Sequence, residues 1–257
     1  MLKQAVFAAT RVARRVTDQK KLASRGLTRE LVQAVMKQNP EFERLDGIMS
    51  SLAEACINPT TKDAVKVIGV CSATQGEGKT TVALGLATAL GRRAGSDVLL
   101  IEGDLANPSL AEDLQRDPSP GLVDCLQLEE ALESAIQPTL MEHLWIITAG
   151  QPSEDPISLL AKANVGQLFR ALRSRYQIIV LDMPAILERE EAGRLVELVD
   201  GVILVIAAGK ASKAVTESGV AAIGRDKLMG VVLNRARLTA PRWMSRIFSI
   251  DGESSAL

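Results

Sequence analysis

Val67-Ile68-Gly69-Val70-Cys71-Ser72-Ala73-Thr74-Gln75-Gly76-Glu77-Gly78-Lys79-Thr80-Thr81 is the stretch on which the fold turns. An apolar run suited to a buried strand enters a glycine-punctuated turn, and a helix-forming run follows. Ala73-x-x-x-x-Gly78-Lys79-Thr80 matches the phosphate-binding loop, with Ala73 where Gly is commoner. Gly76 and Gly78 let the backbone turn so that successive N–H groups point at one anion. The N-terminus of the helix opening at Thr80 adds its partial positive charge. Gln75, Gly76, Glu77, Gly78, Lys79, Thr80 and Thr81 are therefore the expected phosphate cradle. Lys79 is placed to reach the β/γ-phosphates, and the Thr80 hydroxyl to ligate Mg²⁺.

Outward from this loop, short apolar runs alternate with helical stretches. Strands are expected at Val65–Cys71, Val98–Glu102, Leu144–Thr148, Gln177–Asp182, Gly201–Ala207 and Leu228–Asn234. Helices are expected at Thr80–Arg93, Ile157–Arg175, Glu188–Leu198 and Ser212–Arg225. Several strands are apolar on successive residues, as strands of a sheet covered on both faces should be. The fold class that follows is α/β, a doubly wound and mostly parallel sheet with its ligand at the carboxyl ends of the strands. Two further strand ends carry acids. Val98–Asp104 delivers Glu102 and Asp104 to one face. Ile178-Ile179-Val180-Leu181-Asp182 is a Walker B pattern. With Thr80 as direct ligand, Asp104 and Asp182 are expected to hold Mg²⁺ directly or through water. Glu102 is left as general base or water-positioning group.

Composition removes whole classes of function. The 257 residues carry 30 Lys+Arg against 31 Asp+Glu, a balance that gives no reason to expect nucleic acid. Aromatics make up 3% with one Tyr, too few for a base-stacking platform. An apolar share of 47% excludes a disordered chain. The longest apolar runs, such as Val202–Ala208, fall short of a membrane span. Cys56, Cys71 and Cys125 are scattered without a CxxC, which fits a reducing, cytoplasmic setting. The lone His143 has no metal-ligand spacing around it and reads as a surface or helix-end residue.

Charge also marks domain organisation. Residues 1–40 hold nine basic residues against two acidic ones, so 1–62 is read as a basic helical arm that could touch a membrane surface or a partner. Its last helix, over 41–62, ends at Asn58-Pro59. Residues 63–237 form the expected ATPase domain and 238–257 a C-terminal tail. The tail contains the short basic–aromatic stretch Arg242–Phe248.

The loop, the acids and their order resemble the cytoplasmic ATPase domain of the bacterial tyrosine kinases of capsule and exopolysaccharide synthesis. That group lies within the wider set of partition and division-site ATPases. The resemblance runs from Ser72–Thr81 through Leu99–Leu110, Gly121–Asp124, Leu144–Gly150, Pro156 with Leu159-Leu160, and Tyr176–Pro184. It ends in Ala208-Gly209-Lys210 and Val231–Asn234. It implies ATP and Mg²⁺ as cofactors, with Asn234 reading the adenine. It implies a membrane-embedded chain-length or export protein as partner, a homo-oligomer, and a cytoplasmic place peripheral to the inner membrane.

Departures from the family pattern narrow the expected activity. Glu102 stands where the family has Asp, Ala106 where it has Arg, and Met183 where it has Thr or Ser. Thr74 occupies the place where the partition ATPases carry a Lys that reaches the facing subunit. Gly47 ends what would be the ring-forming E-x-x-R-x-x-R begun at Glu41. The one Tyr, Tyr176, precedes a core strand, and Ala240–Leu257 has no tyrosine cluster. The sequence therefore favours an ATPase whose nucleotide state biases docking on a membrane partner. A tyrosine kinase acting in trans, a non-catalytic nucleotide-binding scaffold and a membrane-cycling positioning ATPase are the rival readings.

Overall fold

The structure is a computed structural model that describes residues 47, 49–54, 56, 66–95, 97–114, 116–128, 131–162 and 165–235. The basic arm over 1–40, the Asn58-Pro59 turn and the Arg242–Phe248 stretch lie outside the described residues.

In chain order the elements are β1 (Val67–Ser72), α1 (Lys79–Ala94), β2 (Val98–Glu102), α2 (Leu110–Leu114), α3 (Leu122–Gln127), α4 (Leu132–Ala135) and β3 (Gln137–Pro138). There follow β4 (Leu144–Ile147), α5 (Pro156–Lys162), α6 (Val165–Arg175), β5 (Ile178–Asp182), α7 (Glu191–Leu198), β6 (Gly201–Ala207), α8 (Lys213–Ile223) and β7 (Leu228–Asn234). The strands form one sheet in the order β3-β4-β2-β5-β1-β6-β7. Its pairings are parallel except that of β3 with β4. The expected doubly wound α/β sheet is thus present.

Strand alternation sends the apolar residues of β1, β2 and β5 into one of two cores. On one face Val67, Cys71, Leu99, Ile101, Ile179 and Leu181 meet residues of α3, α6 and α7 such as Leu122, Phe169 and Leu195. On the other, Ile68, Val70, Leu100 and Val180 meet Val82, Leu86 and Leu90 of α1. Burial on both faces is why these strands are apolar throughout. Met49, Ala53 and Cys56, from the helical residues before the sheet, belong to the α1-side core, and Met49 packs over Gly85.

The helix expected over Ile157–Arg175 is described as α5 and α6, with residues 163 and 164 outside the described residues. Leu160 of α5 and Phe169 and Leu172 of α6 all enter the same core. One helical expectation needs correction. The helix expected from Glu188 starts at Glu191 instead. Residues ahead of it pair with the loop after β1, with Ile186 N donating to Ser72 O and Leu187 N to Ala73 O.

Candidate functional site

Strand order decides what can meet. The carboxyl end of β1 lies between those of β5 and β6, with β2 beyond β5 and β7 beyond β6. Asp182 is in register with Val70 on one side and Glu102 on the other. Ala207 at the end of β6 is in register with Asn234. The expected phosphate-loop residues, Glu102, Asp104, Asp182 and Asn234 therefore lie at one rim of the sheet.

The loop after β1 is held by its own side chains. Gly76 and Gly78 take φ of 76° and 95°, the left-handed conformation expected of them. A side chain at Gly78 would also strike the Asn234 amide. Glu77, expected to serve through its backbone, turns its carboxylate inward. Oε2 accepts from Thr74 N at 2.9 Å and Oε1 from Ala207 N at 3.2 Å. Asn234 lies across the same loop. Its Nδ2 donates to Glu77 O at 2.8 Å, and its Oδ1 accepts from Arg235 N at 2.9 Å.

Beside the loop lie the charges. Lys79 Nζ pairs with Asp104 Oδ2 at 3.0 Å, and Asp104 Oδ1 accepts from Asn107 N at 3.1 Å. Asp182 is 1% exposed and takes a hydrogen bond from the Thr80 side chain, while its Oδ1 has no partner. Burial above all, with Glu102 and Asp104 adding to it, pushes the Asp182 carboxyl up to about 7 against the pull of Lys79 and Thr80. Burial would lower Lys79, but Asp182 and Asp104 outweigh it and hold the ammonium above its ordinary value. Burial pushes the Cys71 thiol, on the strand beneath, up to about 12, so it is an inert core group.

The donor set fits magnesium. An orphaned carboxylate oxygen at Asp182, the Thr80 hydroxyl bonded to the same carboxylate and the nearby Asp104 are all hard oxygen ligands. Mg²⁺ takes one or two carboxylates and completes its shell with water and phosphate oxygens. No group of three or more His, Cys, Asp or Glu able to hold a metal occurs among the described residues.

Glu102 is placed differently from its neighbours. It is 1% exposed, with Oε1 accepting from Ser109 N at 2.6 Å and Leu110 N at 2.7 Å and Oε2 accepting from Ala149 N at 3.0 Å. Burial raises its carboxyl, and these three amides pull it back. A carboxylate so committed ties the loop after β2 to the end of β4. Met183 is also accounted for, because its sulfur fills the space above Gly69, 2.5 Å from where a Cβ there would lie.

A model of the CobQ/CobB/MinD/ParA nucleotide binding domain matches residues 68–242. The chain belongs to this family. It is 32% identical to the tyrosine-protein kinase CpsD of Streptococcus pneumoniae over 184 residues, which cover 70% of this chain and 81% of that one. It is 27% identical over 211 residues to the succinoglycan biosynthesis transport protein ExoP of Rhizobium meliloti, covering 76% of this chain but 27% of ExoP. The VpsO kinase domain superposes with a TM-score of 0.67 at 30% identity, over 77% of this chain and 100% of that one. The septum site-determining protein MinD of Pyrococcus horikoshii, solved with Mg-ADP, gives 0.54 at 26% identity, over 71% and 76%. The resemblance to bacterial tyrosine kinases within the wider ATPase family is borne out. No described helix is long and apolar enough to cross a membrane.

Two loop contacts escaped the sequence. Lys210 Nζ donates to Gln75 O at 2.6 Å, and Glu188 Oε2 accepts from Gln75 N at 3.0 Å. They come from 135 and 113 residues away, and no local pattern announces them.

Proposed function

We propose that the chain binds ATP with Mg²⁺ at the carboxyl ends of β1, β2 and β5 and hydrolyses it slowly in polysaccharide synthesis or export. The observation that carries this reading is the buried Asp182 carboxylate, whose Oδ1 has no partner and whose charge acts on the paired Lys79 and Asp104. Main-chain amides of 76–80 receive the phosphates, and Lys79 turns from Asp104 toward the β/γ-phosphates. Thr80 and Asp182 would hold Mg²⁺, with Asp104 reaching it directly or through water, and the ion would supply charge neutralisation to the phosphoryl group in transfer. Asn234 stiffens the loop and contacts the adenine from the β7 end. Docking on a membrane-embedded chain-length or export protein, at the cytoplasmic side, then follows the nucleotide state. The polysaccharide assignment leans on ExoP, whose name carries succinoglycan biosynthesis and transport.

Titration calorimetry with ATP, with and without Mg²⁺, tests the binding step. Wild type should bind with an affinity that Mg²⁺ strengthens, and Lys79→Ala should weaken it by roughly a hundred-fold, the worth of charge-assisted phosphate hydrogen bonds. Heat-silent titrations of the wild type would end the proposal.

A second reading is tyrosine phosphorylation in trans, favoured by the kinase names of CpsD and VpsO. Tyr176 is 8% exposed, at the end of α6, so the acceptor would be another chain. Phosphotyrosine appearing on a co-expressed membrane partner with wild type, and lost with Lys79→Met, would select this reading over simple hydrolysis.

A further inference from the structure

Gln75 is the exposed crest of the phosphate loop, and both of its main-chain polar groups are taken by side chains of opposite charge. Lys210, just after β6, donates to its carbonyl at 2.6 Å. Glu188, in the segment after β5, accepts from its amide at 3.0 Å. The Lys210 ammonium also stands against the next residue, 3.2 Å from where a Cβ on Gly76 would lie. Its root is fixed, since Lys210 N donates to Ala207 O, and Ala207 N is bonded to the Glu77 carboxylate within the loop itself. A cation is thus held beside the loop and an anion is held on it.

We propose that Lys210 is a second phosphate-binding cation of this site and that the Lys210–Glu188 pair makes the loop prefer a nucleoside triphosphate to a diphosphate. An ammonium has three donors, so Lys210 can keep the Gln75 carbonyl and add a phosphate oxygen. The Glu188 carboxylate carries the same sign as the incoming phosphate and occupies an amide on the crest. The extra negative charge of a triphosphate attracts the first group and expels the second. Both side chains are exposed, so the effect is modest and fades with salt.

This inference rests on the ATP-binding reading above, and the experiment separates the two. The affinities of the β,γ-imido analogue of ATP and of ADP, each with Mg²⁺, are measured for wild type and for Lys210→Ala, Lys210→Gln, Lys210→Arg and Glu188→Gln. Lys210→Ala should weaken the triphosphate about tenfold and the diphosphate less than about threefold. Arg should restore the preference and Gln should not. Glu188→Gln should tighten the triphosphate by about threefold. If Gln rescues as well as Arg, or if both nucleotides weaken alike, Lys210 is only a loop clamp and the inference falls while the binding reading stands. If wild type binds neither nucleotide, both fall.

Discussion

Two aspartates at opposite ends of the same sheet meet opposite fates. Asp200, just before β6 at the amino end, is fully partnered by the protein. Arg173 grips both oxygens at 2.7 and 2.8 Å, and Lys66 N and Val67 N donate to Oδ2 at 2.8 and 2.7 Å. Burial pushes its carboxyl up, but the Arg173 fork and the two amides outweigh it and hold it below its ordinary value. Asp182, at the carboxyl end of β5, is more deeply buried, keeps an unpartnered oxygen and is pushed up to about 7. The first closes the fold by joining the starts of β1 and β6 to α6. The second keeps one carboxylate oxygen that the described residues do not satisfy, and the proposed ligand is what would satisfy it.

The sharpest way to break that contrast is Asp182→Asn. A carboxyl whose folded value lies above its unfolded one favours the fold in acid, and that advantage is lost as pH rises toward about 7. Above pH 7 the folded chain carries the full burden of the buried charge. The neutral isostere should therefore raise apo stability at pH 8 by about 2 kcal/mol while erasing the melting shift given by Mg²⁺ with ATP. Thermal melts at pH 6 and pH 8 with and without Mg-ATP decide it. A destabilised variant that kept its Mg²⁺ response would place the ion elsewhere.

Asp200→Asn should do the reverse, lowering stability by about 1 kcal/mol once solvent screening of the half-exposed Arg173 pair is allowed for. Its contribution is present above the unfolded carboxylate value of about 4 and is lost as pH falls through the lower folded one. Wild type and variant should therefore converge in acid denaturation series and diverge near neutrality. Nucleotide affinity should not change, since Asp200 stands at the far end of the sheet.

The sequence disclosed what is local and hid what closes through space. Val67–Thr81 is a strand, a turn and a helix start in fifteen consecutive residues, so that local succession was readable. Asp182 followed from four apolar residues ending in an acid at a strand end. The short helices α2, α3 and α4 were missed because four to six residues are too few to show a helical period. Glu77 looked like one more loop residue, yet its carboxylate reaches Ala207, 130 positions onward. Lys210 and Glu188 likewise gain their meaning from strand order, which folds β5 and β6 against β1.

Glu102 is the residue on which sequence and geometry pull furthest apart. By position it is the first acid of the motif after β2, where the resemblance has Asp, and a general base is the natural expectation. By geometry it is a tether, because the extra methylene carries its oxygens to Ser109, Leu110 and Ala149. Glu102→Asp restores the family residue and separates the two roles. A shortened base would raise phosphate release from ATP. A shortened tether lets go of amides that are then left unpaired and loosens the loop holding Asp104. The expected outcome is therefore a loss of about 1 kcal/mol in stability, since the loop can partly follow the shorter side chain. Phosphate release should not increase, and amide hydrogen exchange should quicken at Ser109 and Leu110. A faster enzyme with unchanged exchange at those amides would return Glu102 to the chemistry.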